Sequence, residues 1–157
     1  MKRRIALLML LCMLCLSVNA YADVPQLSGT LFSTAKQALV YLSSGEYERL
    51  VTLLPFSGVS PSASEWQSFA DNFSSLSSVQ TDYAVAYWTG STWRLAVPVS
   101  EPSSDDVETL VLSSDDGASF SGYRYSSWSQ VRDEYESASY VMWDDEYVDS
   151  DPVIAVD

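Results

Sequence analysis

Near Ser78 the spacing of apolar residues along the chain changes from 3.6 to two, which sets helices before strands. Upstream, Leu31, Ala35, Ala38, Leu39 and Leu42 recur at helical spacing, with Thr30 expected as the N-cap and Gly45 as the C-cap. Tyr47, Leu50, Val51 and Leu54 then repeat at i, i+3, i+4 and i+7 until Pro55, which predicts a second short helix. The segment Phe56 to Ala63 carries Gly58 and Pro61 and reads as a loop. Ser62 and Glu65 have capping-box spacing, and Trp66, Phe69, Ala70, Phe73 and Leu76 form the apolar face of a third helix. All three stripes are expected to pack onto one sheet.

Downstream, Val79, Thr81, Tyr83, Val85 and Tyr87 alternate with Gln80, Asp82, Ala84 and Ala86. Thr89-Gly90-Ser91 turns the chain and Trp93, Leu95, Val97 and Val99 resume the alternation, so 79–99 is expected as a hairpin. Val107 to Leu112, the turn Asp115-Asp116-Gly117 and Ala118 to Tyr125 predict a second hairpin. From Trp128, the apolar residues Val131, Tyr135, Ala138 and Met142 suggest a helix to about Tyr140. Nine acids and no base follow Arg132, so 133–157 is expected as an acidic, partly mobile segment after a domain spanning 23–132. Serine is spread between the periodic elements rather than gathered into a linker, and no internal repeat is visible.

Lys2, Arg3 and Arg4, the twelve apolar residues Ile5 to Leu16, and Ala20-Tyr21-Ala22 have the pattern of a cleavable signal peptide over 1–22. A permanent span needs about 20 apolar residues, so no stable membrane span is expected after cleavage. The expected location is the cell envelope or the extracellular space. Cys12 and Cys15 lie in the apolar run, and bulky Leu11 and Leu14 precede them where a lipoprotein signal would carry small residues. The part from residue 23 onward then has no cysteine, and its stability must come from a core rather than from disulfides. Loss of three basic residues takes the formal charge from 8 − 21 = −13 to 5 − 21 = −16. Such a surface repels phosphate backbones, which excludes nucleic acid as the expected partner. A basic partner, a cation or simple solubility remains, and the expected partner is an unknown protein or small ligand.

Helices followed by antiparallel strands are the order of an α+β domain. The segment Ala38-Leu39-Val40-Tyr41-Leu42-Ser43-Ser44-Gly45-Glu46-Tyr47-Glu48-Arg49-Leu50-Val51-Thr52-Leu53-Leu54 resembles the opening of NTF2-like (cystatin-like superfamily) domains of exported bacterial proteins of unknown function. The resemblance covers roughly 31 to 125. It implies N-terminal helices packed on a curved, mainly antiparallel four-stranded sheet in a cone. The family's strand between the second and third helices is not evident. That scaffold hosts isomerases, dehydratases and partner-binding modules alike, so the resemblance selects no activity.

Histidine is absent from the whole chain. Together with the loss of both cysteines this removes Ser-His-Asp and Cys-His catalysis as well as thiolate and imidazole metal sites. No cofactor or metal is expected. The leading expectation is a non-catalytic binding module. The alternative is an isomerase- or lyase-like enzyme using carboxylate and tyrosine in the cone cavity. Asp82, Tyr83 and Tyr87 supply those residue types, but strict alternation puts Asp82 opposite both tyrosines. Asp144, Asp145, Glu146, Asp149 and Asp151 offer oxygen ligands but lack a calcium-loop pattern and read as a solvated tail. The aromatics Tyr83, Tyr87, Trp88, Trp93, Tyr123, Tyr125 and Trp128 are the candidate ligand- or partner-binding residues, with core packing as their simpler role. Alternation places Tyr83, Tyr87 and Trp93 toward the helices and Trp88 on the other face. The sequon Asn72-Phe73-Ser74 falls on the predicted third helix and receives no role.

Overall fold

The computed structural model describes residues 24–144 and the backbone of Val153–Ile154. The expected signal peptide with both cysteines, and most of the acidic tail, lie outside the described residues. The N-terminal helices are α1 (Gly29–Ser44), α2 (Tyr47–Leu53) and α3 (Ala63–Ala70), followed by a 3-10 turn at Leu76–Ser78. The strands are β1 (Val85–Trp88), β2 (Trp93–Pro98), β3 (Glu108–Ser114), β4 (Gly122–Ser127), β5 (Tyr140–Trp143) and the two-residue β6 (Val153–Ile154). Helix α4 (Trp128–Glu136) runs directly on from β4. The order across the curved, open sheet is β4-β3-β2-β1-β5-β6, with every strand pair antiparallel.

The helical stripes form as their spacing dictates. Leu31, Ala35, Ala38, Leu39 and Leu42 are all buried. Gly45 closes α1 in the left-handed region at φ 72°, where a side chain would be strained, and the Glu46 amide reaches back to the Tyr41 carbonyl at 2.9 Å. Thr30 lies inside α1 rather than capping it. The N-cap is Ser28, whose hydroxyl pairs with that of Thr30. Both halves of the Ser62–Glu65 capping box are present. Helix α3 stops at Ala70 instead of continuing to Leu76, so the Asn72 sequon lies beyond it. The Asn72 side chain donates to the Phe69 carbonyl, and the Ser74 and Ser75 amides turn to the buried Glu108 carboxylate at 2.8 Å each.

The first hairpin is shorter than the alternation over 79–99 predicts. Its first strand begins only at Val85, because the partner strand ends at Pro98, which has no amide to donate. One bond, from the Gln80 amide to the Val99 carbonyl, ties the preceding segment alongside. The second hairpin forms, and its connection reverses at Gly117, φ 73°.

The α+β arrangement is present, but the expected four-stranded sheet is corrected to five main strands plus β6. The apolar run Tyr140-Val141-Met142-Trp143 joins the open edge of β1, with Val85 opposite Trp143 and Trp88 opposite Tyr140. The helix expected to about Tyr140 therefore ends at Glu136. Helices also cover both faces of the sheet. Ala86, Trp88, Trp93, Leu95, Val97, Leu110 and Leu112 face α1–α3, whereas Val85, Tyr87, Ala96 and Val111 face Trp128 and Val131 of α4. Central strands covered twice read as continuous apolar runs. For that reason alternation misplaced two residues: Tyr87 faces α4, and Trp88 lies with its cross-strand partner Trp93 toward the N-terminal helices.

Candidate functional site

The seven candidate aromatics do not form one patch. Trp88 and Trp93 are buried in the layer between the sheet and α1–α3, and Trp93 donates its indole N–H to the Pro25 carbonyl at 2.7 Å. Tyr123 joins Phe56, Trp66 and Phe69 in an aromatic cluster, with ring centroids 4.3 Å from Trp66 and 4.9 Å from Phe69. Tyr125 stacks edge-on against Phe73 and is 39% exposed. Trp128 and Tyr87 lie on the α4 side and are buried, and Tyr83 is half-buried in the segment before β1. Neighbouring Asp82 is exposed.

Trp66, Phe69 and Phe73 thus occupy the space between sheet and N-terminal helices, where the enzyme alternative requires a deep apolar pocket with a buried acid. The buried acid on that side, Glu108, is committed to holding the chain. It accepts two backbone N–H groups and the Ser74 hydroxyl. Burial pushes its carboxyl up, but the hydrogen bonds from Ser74 and Ser75 outweigh burial and hold it below the usual carboxylate range.

The α4 side is built differently. Antiparallel register places Tyr87, Arg94 and Ser113 in one row across β1, β2 and β3, and Val85, Ala96, Val111 and Arg124 in the next. Helix α4 lays Glu134 over these rows. Arg124 Nη2 donates to Glu134 Oε1 at 2.5 Å, and the Tyr87 hydroxyl donates to Oε2 at 2.7 Å. Burial, reinforced by the adjacent carboxylate, pushes the Tyr87 phenol far above its ordinary range. Arg94 donates through Nη1 to the Ser113 hydroxyl at 2.9 Å and has no carboxylate within ion-pairing distance among the described residues. The Nε groups of Arg94 and Arg124 are buried without a partner there.

Between the end of α4 and the sheet lies a cavity of about 340 Å³, lined by Thr89, Arg94, Arg124, Glu134, Ser137 and Ala138. Its size lies at the small end of ligand sites, and its convergent polar groups are what such sites use to orient a ligand. Arg94, Arg124 and Glu134 sum to a formal charge of +1, against 5 − 21 = −16 for residues 23–157 as a whole. Among the described residues no cluster of acids has metal-holding geometry, and Asp144 pairs with Lys36. No described helix is long and apolar enough to cross a membrane.

Sequence reasoning missed Arg94, Arg124 and Glu134. The available signal was the placement of two of only five basic residues after position 22 inside predicted strands, where a charge needs a reason. Compared with known proteins, the chain matches no family model, no curated protein and no solved structure.

Proposed function

We propose that this chain is an exported NTF2-like module that binds a ligand without catalysing a reaction, and that the ligand enters the cavity between α4 and the sheet. The observation that carries this reading is the convergence of Arg94, Arg124, Ser137 and Thr89 on that cavity while aromatic side chains fill the opposite side of the sheet. The helix-Gly-helix opening realised in α1, Gly45 and α2 supports the NTF2-like assignment, and the pattern of residues 1–22 supports export. A catalytic role for Glu134 is disfavoured because Arg124 and Tyr87 each occupy one of its oxygens.

The test is a pocket-filling variant. Ala138→Trp fills the cavity from the end of α4 without touching the helix-facing core. Small-molecule fragments that raise the melting temperature of the unmodified chain should lose that effect in the variant. A fragment effect that survives the substitution, or substrate turnover that disappears in Glu134→Gln, overturns the proposal.

A further inference from the structure

We infer that the cavity takes a small monoanionic carboxylate, held between the guanidinium groups of Arg94 and Arg124; this rests on the reading of the cavity as the ligand site. The two arginines have different positions in the internal network. Arg124 is paired with Glu134, whose other oxygen accepts the Tyr87 phenol, so this carboxylate is satisfied without Arg94. Arg94 remains half-buried with one hydroxyl as its polar partner among the described residues. A guanidinium in that state gains most from a planar, two-oxygen acceptor, which its fork of N–H donors matches in geometry.

Charge selects within the anions. Two arginines and one glutamate leave the site at +1, which one negative charge neutralises. A dianion or polyanion would carry more charge than the site neutralises, would meet Glu134 at close range, and would feel the −16 carried by residues 23–157. The cavity volume of about 340 Å³ excludes large acids. The Thr89 and Ser137 hydroxyls that line the cavity already donate to backbone carbonyls, so the donors for the acid are the two arginines, and Ala138 supplies an apolar contact for its substituent.

The probes are benzoate, its neutral isostere benzamide, and inorganic phosphate, titrated into the full chain at constant ionic strength and followed by NMR. Benzoate is expected to bind at least about tenfold more tightly than benzamide, the size of one charge-assisted hydrogen bond. Arg94→Gln should abolish that preference. It leaves the core intact, because among the described residues the Arg94 side chain is tied only to the Ser113 hydroxyl. Glu134→Gln removes the competing negative charge and should tighten benzoate binding, whereas a merely structural ion pair would predict lower stability and no gain. Equal binding of benzoate and benzamide, both lost in Ala138→Trp, would sink the carboxylate inference and leave the cavity as the ligand site. Absence of a benzoate response, or phosphate binding more tightly than benzoate, likewise overturns the inference.

Discussion

Both faces of the sheet bury aromatic side chains, but they differ in how their charged groups are partnered. Toward α1–α3, large side chains interlock: Trp66 and Trp93 are almost fully buried, Phe69 packs edge to face on Trp66, Phe56 and Tyr123 lie tilted against it, and Phe73 packs edge to face on Phe69. The charged group there, Glu108, is saturated with donors. Toward α4, Trp128, Tyr135 and Trp143 form a second aromatic cluster, but beside it the helix reaches down with Glu134 to meet Arg124 and Tyr87 over the small residues Ala96 and Val85. Close packing fills the space between the sheet and α1–α3, while on the second face an incompletely paired arginine lines a cavity. Under the proposed reading, stability and recognition fall on different sides of one sheet.

That division is broken most severely from the helix side. Trp66→Ala removes a fully buried indole from the centre of the aromatic cluster and should destabilise the chain by ~3–5 kcal/mol. Chemical denaturation of the purified chain reads this directly. Trp66→Phe should cost much less, because the indole N–H has no acceptor among the described residues.

Next comes Gly117, on which the segment before α1 rests. Its φ of 73° disfavours any side chain, and an added Cβ would lie 2.3 Å from the Gln26 carbonyl oxygen. Gly117→Ala should cost about 3 kcal/mol by the same measurement.

A smaller effect is expected at Glu108. Glu108→Gln should cost about 1–2 kcal/mol at neutral pH through weakened charge-assisted bonds to Ser74 and Ser75. The folded-state carboxyl titrates below its ordinary value, so its contribution is complete above about pH 4.5 and is lost as pH falls through the depressed value. The difference between the unmodified chain and Glu108→Gln should therefore shrink on acidification below pH 4.5, as followed by denaturation midpoints. Smallest of all should be Arg94→Gln, which belongs to the α4 face: a stability change within about 0.5 kcal/mol would show that the arginine is dispensable for folding.

Much of the helix face was legible because its signals are local. Stripe spacing, the Gly45 stop and the Ser62–Glu65 capping box each act within one or two helical turns, and the turn at Asp115-Asp116-Gly117 is held by its own carboxylate. Asp116 accepts the Ala118 and Ser119 amides, which draw its carboxyl down to about 2. The α4 face depends on distant pairings. Arg94 and Arg124 meet only through the register of β2 with β3 and β3 with β4, and Glu134 reaches them only because α4 crosses to the far side. Strand β5 was obscured by the acids that follow it. The side on which Tyr87 points could not be read from alternation, since a strand buried on both faces has no polar side to mark it.

The most direct test of this two-faced division is a backbone amide NMR map of the full chain with benzoate added. The account predicts shifts concentrated at Thr89, Arg94, Arg124, Ser137 and Ala138, with the amides of Trp66, Phe69 and Tyr123 unmoved. Shifts centred on Trp66, Phe69 and Tyr123 instead would place the open site between the sheet and the N-terminal helices and contradict it.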